Sequence, residues 1–298
     1  MSSIDLLDET RSAHALPAGL RLGAVELTVR DLASSVVWYQ QALGLHLHRR
    51  DVSTASLGDG HETLVVLHAD PKARPAGRGT AGLYHFALLF ETRQGLARAA
   101  ARLVARRTQI DGASDHGFHE AIYLPDPDGN GIELAWDRAR DEWPDPEDKS
   151  AGAPRALDFA SLMATVEGEP VAPRVAPGLR MGHVHLHVGD VPEAVAFYRD
   201  VVGFELRVDF GVAAFLRVNG YHHHLAVNVW NGRGAAAPGP HTAGLRRWNV
   251  ELPAAADVDA LRLRLAAAGS EFRDLDGGVL AVDPFGTAVA FVAAEPVR

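Results

Sequence analysis

M-G-H-V-H-L-H-V-G-D-V-P-E-A-V-A-F-Y-R-D-V-V-G-F, residues 181–204, decides the fold, because the chain carries this pattern twice. It lines up without a gap on Leu22–Leu45 and shares the positions of Gly23, Val25, Leu27, Val29, Asp31, Val36, Tyr39 and Gly44. In both copies apolar residues first alternate, as on a half-buried strand; an aspartate then caps a helix that stops at a glycine. Asp190 with Glu193 adds a capping-box pattern to the second copy. Working outward, Gly82–Arg106 and Gly244–Gly269 form a second matched pair, each a strand followed by a helix rich in Ala, Leu and Arg. Each is closed by a similar turn, Asp126-Pro127-Asp128-Gly129 or Asp283-Pro284-Phe285-Gly286. Proline and glycine do not sit inside a ladder, so the chain reverses at Asp126–Gly129 and enters a strand over Gly131–Trp136. The result is four strand–helix–strands units in two tandem pairs.

The boundaries follow from composition. Residues 1–19 are a polar tail, 20–137 hold units one and two, and 179–298 hold units three and four. Between the pairs, 138–178 shifts to Pro, Asp, Glu and Ala and reads as a connection, with one short helix expected around Arg155–Ala164. Pro71–Thr80 and Arg233–Gly244 are matching loops within the pairs. A chain of 298 residues, 47% hydrophobic, is long enough for two domains with sizeable cores. Its net charge of −9, with both signs interspersed, argues against a nucleic-acid groove or an anionic membrane as partner. No run of 18 apolar residues occurs and the first ten residues do not read as a signal peptide, so a cytoplasmic location is expected. With no cysteine, thiolate zinc sites, iron–sulfur clusters, disulfides and cysteine nucleophiles are excluded. Any metal must be held by histidine and carboxylate, and 15 histidines are at hand.

Their placement suggests where. His85 lies in L-Y-H-F-A-L-L-F, a strand so apolar that a lone histidine there is ordinarily a hydrogen-bonded core residue. His183, His185 and His187 alternate on one strand and share a face, and burying three imidazoles without partners is unfavourable. His222-His223-His224 runs into the apolar strand Leu225–Trp230; strand parity puts His222 and His224 on one face and His223 on the other, unless the run is only a polar strand start. His116 and His119 precede Tyr123. Glu133, on the strand I-E-L-A-W, is a ligand, an ion-pair partner or a residue on the wet face. Comparison within the chain separates these readings: His183 stands where unit one has Ala24, His85 where unit four has Trp248, and Glu133 where unit four has Ala290. A role common to the fold would recur in its own repeats, and these three do not. Two histidines and one carboxylate are the set that binds Fe(II) on one face and leaves three positions open. Because His85 and Glu133 belong to unit two and His183 to unit three, those units are expected to face each other across the tandem boundary.

The four repeats resemble the vicinal oxygen chelate superfamily, and the chain as a whole resembles its two-domain extradiol dioxygenases of the catechol 2,3-dioxygenase type. The resemblance spans about residues 20–137 and 178–293. Its most specific part is His116, five residues, Ile122-Tyr123, two residues, Asp126-Pro127, one residue, Gly129, three residues and Glu133. Ser114 departs from that signature, which has glycine or a similar residue there, and the signature ends the first tandem pair where the best-known members carry it in the second. The resemblance implies an α+β fold of four βαβββ modules forming cup-shaped mixed sheets. It implies that His85, Glu133 and His183 bind Fe(II), with Mn(II) as an alternative, and that the substrates are a catechol and dioxygen. His116 would then sit near a substrate oxygen, Tyr123 would hydrogen-bond the oxygenated substrate, and His224 or His222 would be the acid/base. The product would be a 2-hydroxymuconic semialdehyde or its substituted analogue. A glyoxalase-like isomerase or lyase of the same fold and a non-catalytic small-molecule binder are the alternatives. Sheet edges of such repeats commonly pair, so a homo-oligomer is expected.

Overall fold

Each unit folds as one strand, one helix and three more strands. In the computed structural model, which describes residues 15–145, 148 and 151–294, unit one comprises β1 (Arg21–Val29), α1 (Leu32–Trp38), β2 (His46–Arg50), β3 (Thr54–Gly58) and β4 (Thr63–Ala69). Unit two comprises β5 (Gly82–Phe90), α2 (Arg93–Arg106), β6 (Gly112–Asp115), β7 (His119–Pro125) and β8 (Gly131–Asp137). The connection adds β9 (Arg155–Ala156) and α3 (Phe159–Ala164), so the expected short helix begins four residues later than the sequence suggests. Unit three runs β10 (Arg180–His187), α4 (Val191–Val195), β11 (Glu205–Asp209), β12 (Ala213–Arg217) and β13 (Leu225–Asn228); unit four runs β14 (Gly244–Leu252), α5 (Ala255–Ala267), β15 (Phe272–Leu275), β16 (Gly278–Val282) and β17 (Ala288–Ala293). Residues 1–14 of the polar tail lie outside the described residues.

The strands assemble into two mixed sheets that cross the tandem order. One has the order β15-β16-β17-β14-β1-β4-β3-β2 and joins units one and four; the other, β11-β12-β13-β10-β5-β8-β7-β6-β9, joins units two and three. In each sheet the first strands of the two units run antiparallel at the centre, β5 against β10 and β1 against β14. Both pairs carry a register shift after Met181 or Leu22, the site of G-H-V or G-A-V, so the repeat extends to the irregularity. Phe86 and Leu88 on β5, like Trp248 and Val250 on β14, are fully buried in one contiguous apolar core, which leaves His85 on the opposite face.

That register corrects one equivalence. Val184 pairs with Phe86 in one sheet and Val25 with Trp248 in the other, so Trp248 corresponds to Phe86, and the counterpart of His85 is Arg247. The sequence equivalence of His85 with Trp248 is off by one residue, because two apolar strands of similar composition do not fix their own register. Arg247 donates to Glu26 Oε1 at 2.6 Å, and His68 Nε2 lies 2.8 Å from Glu26 Oε2. Burial raises the Glu26 pKa, but the bonds from His68 and Arg247 outweigh it and hold the carboxyl below its ordinary range. The cup of units one and four is thus closed by an internal ion pair.

The helices begin where expected. Asp31 and Asp190 accept the backbone N–H of Ser34 and Glu193 at 3.0 and 2.9 Å, satisfying donors that the first turn leaves free. Both continue into a π-helical turn, Tyr39–Leu43 or Ala196–Val202, ending at Gly44 and Gly203 with φ of 76° and 107°. These turns aim Tyr39 at Asp126 (2.9 Å) and Tyr198 at Asp283 (3.0 Å), so the aspartates of the two D-P-x-G turns anchor them to the preceding unit. Tyr39→Phe is expected to cost about 1–2 kcal/mol in urea unfolding, since Asp126 keeps its bonds from Asp128 and Asn130 but loses a buried donor.

Candidate metal centre

Centre formation depends on a close approach of β5 and β8. His85 pairs with Gly131, where an added Cβ would stand 2.0 Å from the Tyr84 carbonyl oxygen; only glycine lets β8 lie this near. Two residues on, Glu133 projects to the same side as His85, and the neighbouring β10 brings His183. His85 Nε2 lies 3.1 Å from Glu133 Oε2 and 3.2 Å from His183 Nε2, and His183 Nε2 lies 3.1 Å from the same Oε2. All three side chains are buried. The expected meeting of units two and three is therefore what the sheet produces.

Three acceptor-capable atoms converging on one point, with at most one proton available per imidazole nitrogen, are what a cation would satisfy. Ligand atoms about 2.1 Å from a common ion at right angles are about 3.0 Å apart, close to the observed triangle. The donor set of two imidazoles and one carboxylate thus fits a divalent metal. Burial pushes the Glu133 pKa up, but the charge of His183 and the close imidazoles of His119, His183 and His85 outweigh it, so the carboxyl stays well below its usual range. Burial lowers the His85 pKa and favours the neutral ring that a metal requires. Glu133 Oε1 is buried without an aligned hydrogen bond, although His119 Nε2 is only 3.0 Å away.

The histidines around the triad form two ordered networks. His116 Nδ1 donates to the Gly152 carbonyl at 2.9 Å, so in the neutral ring Nε2 is the acceptor, and Tyr123 OH donates to it at 2.8 Å. Burial keeps His116 neutral and holds Tyr123 in its phenol form. On the other side, burial pushes the Asp137 pKa up, but its bonds with His222 and Tyr221 outweigh this and keep it ionised. Asp137 Oδ1 accepts from His222 Nε2 at 3.1 Å, which makes His222 Nδ1 an acceptor; His223 Nδ1, 2.9 Å away, must then be the donor. His223 Nε2 is left as a bare lone pair on a ring that lines the cavity. Burial brings His222 down to about 4 and His223 well below its ordinary range, so both rings are neutral.

His119, Asp137 and His222 also lie within metal-ligand reach of one another. The rings of His119 and His222, however, stack at 4.8 Å with 19° between planes, so their in-plane lone pairs run side by side. This group is a hydrogen-bonding wall.

The cavity in front of the triad measures about 580 Å³. His85, His116, Tyr123, Glu133, His183 and His222 all line it. His224 does not. Residues 219–224 form a turn and bend, and β13 starts only at Leu225, so the alternation used to pair His222 with His224 does not hold. Instead His222 and His223 face the cavity, while His224 turns to a different cleft and accepts the Val218 N–H at 3.1 Å. The sequence reading gave no role to His119, His223 or Asp137. His119 was within reach, since it shares strand parity with Tyr123, which pairs directly with Glu133. Asp137 is the last residue of β8, at the very end of unit two.

With this geometry in hand, the comparisons are direct. The description "Glyoxalase/Bleomycin resistance protein/Dioxygenase superfamily" matches residues 21–134 and 180–291. The chain belongs to that superfamily. Within it, this member is 36% identical over 277 residues to the catechol-2,3-dioxygenase of Bacillus subtilis (strain 168), covering 91% of this chain and 96% of the relative. Its fold matches a crystal structure from Bacillus subtilis subsp. subtilis str. 168 with a TM-score of 0.65 at 13% identity, over 95% of this chain and 87% of that one. Glyoxalase I from Zea mays has the same fold, with a TM-score of 0.56 at 20% identity and 92% of each chain covered. The two superfamily matches leave residues 135–179 between them. No helix among the described residues is long and apolar enough to cross a membrane.

Proposed function

We propose that the chain is an extradiol ring-cleaving dioxygenase that inserts both atoms of O2 into a catechol, with Fe(II), or alternatively Mn(II), held by His85, Glu133 and His183. The observation that carries this reading is the triad of converging ligand atoms at the floor of a cavity whose other polar groups are a neutral base and a tyrosine–histidine pair. A bound metal of this kind would hold catechol and dioxygen together and carry charge between them. The chain's own residues would do the rest. His223 Nε2 accepts a proton from a catechol hydroxyl and gives it back to the ring-opened product, its orientation fixed by Asp137 through His222. Tyr123 OH, its proton directed to His116 Nε2, turns its oxygen lone pairs toward the reacting group as an acceptor. His119 steadies the free oxygen of Glu133. In the reaction the ring C–C bond beside a hydroxyl breaks, both oxygen atoms enter, and no external reductant is consumed; the product carries one carboxyl and one aldehyde.

The 580 Å³ cavity exceeds a bare catechol several-fold, and its mouth is built from Phe210, Val212, Phe215 and Trp230. Substituted catechols with an apolar group are therefore the expected substrates. The 36% identical relative named as a catechol-2,3-dioxygenase supports the same reading. Loading the purified protein anaerobically with Fe(II), then adding a catechol and air, should give oxygen uptake and a yellow ring-opened product. If neither appears with Fe(II) or Mn(II), the isomerase and binding-protein readings take its place.

A further inference from the structure

Behind the wall of the metal cavity lies a second cleft of about 600 Å³, entered between the start of β1 and the ends of β5 and β8. Arg140 and Arg180 supply its charge. Arg140 is held in place: it donates to the Gly220 carbonyl at 2.8 Å and lies 4.3 Å over the ring of Trp143. Arg180 has no carboxylate partner among the described residues. The other two arginines of the lining are neutralised, Arg21 by Glu62 and Arg138 by Asp115 and Glu120. His224 presents a further donor. Its Nδ1 accepts from Val218, so the ring proton is on Nε2, and no described residue accepts it. Leu89, Phe90, Trp136 and Trp143 make much of the remaining wall apolar and flat.

We propose that this cleft is a second ligand site, which takes a small monocarboxylate with a flat apolar body. The two arginines and the His224 donor recognise the carboxylate, and the indoles and Phe90 cover the body. A multiply charged anion such as a phosphate ester is disfavoured because Glu91 and Asp137 also face the cleft. The site borders the metal cavity through one bonded chain: Tyr221 OH donates to Asp137 Oδ2 at 2.6 Å, and Asp137 Oδ1 holds His222. A ligand on Tyr221 and Arg140 would therefore bear on the group that orients His222 and His223.

The test is calorimetric titration of the purified protein with benzoate, with neutral benzamide as the control. A single saturable site is expected for benzoate, with benzamide at least tenfold weaker. Arg180→Met should weaken benzoate at least fivefold, and because Arg180 is exposed and unpaired its thermal melting should match the parent. His183→Ala, which alters only the metal cavity, should leave benzoate binding within twofold. Absence of saturable binding, equal binding of benzamide, or loss of binding in His183→Ala with retention in Arg180→Met would overturn the proposal. No turnover is measured, so the result is independent of the ring-cleavage reading.

Discussion

Glu133→Ala is expected to lower affinity for Fe(II) by more than about 10²-fold and to abolish ring cleavage, while the metal-free protein stays folded. The magnitude follows from losing the one anionic ligand, since even outer groups that only orient ligands are worth about 10–100-fold. The retention of fold follows from burial. Glu133 is 1% exposed and sits among the imidazoles of His85, His119 and His183 without an aligned bond at Oε1, so the metal-free protein carries a desolvated carboxylate that alanine removes. Metal analysis after dialysis, alongside thermal melting of the metal-free forms, separates the two effects. Iron retained at the parent's stoichiometry would contradict the ligand assignment; a melting point far below the parent's would contradict the structural half. His183→Ala should behave similarly toward metal, and it tests the joining of units two and three specifically.

The second large effect concerns two adjacent histidines, only one of which faces the reacting groups. His223→Phe should lower kcat by about 10²–10⁴-fold, because its Nε2 is the free lone pair on the cavity wall, and should destabilise by about 1–3 kcal/mol, because the buried His222 Nδ1 loses its donor. His224→Phe should leave kcat within a few-fold yet destabilise by about 1–3 kcal/mol, because the Val218 N–H loses its acceptor. Urea midpoints should fall in both variants, whereas steady-state rates should fall only in His223→Phe. If His224→Phe removed activity while His223→Phe preserved it, the tautomer chain from Asp137 through His222 would be wrong.

Much of this site was legible in one dimension. The pattern of His116, Tyr123 and Glu133 is local, running from the turn before β7 into the hairpin of β7 and β8, where Tyr123 pairs with Glu133 itself. The singling out of His85 and His183 came from their failure to recur in the repeats, even though the partner assigned to His85 was off by one residue. The histidine run was misread for a physical reason. Parity is a property of extended, paired backbone, and residues 219–224 bend before β13 begins.

The sequence by itself determined the four units, their caps and the turns that close them. These depend on contacts a few residues apart, set by alternation, capping aspartates and the D-P-x-G turns. The sequence pointed to a meeting of units two and three through His85, Glu133 and His183, but only the tertiary structure decided the strand pairing that produces it, β5 against β10 in one sheet and β1 against β14 in the other. It likewise decided that Asp137 holds His222 from a separation of 85 residues, that His223 faces the cavity, and that the equivalent cup of units one and four is filled by Arg247 and Glu26. Where three ligand atoms meet is a matter of sheet register, and register is fixed by packing both faces of the sheet at once.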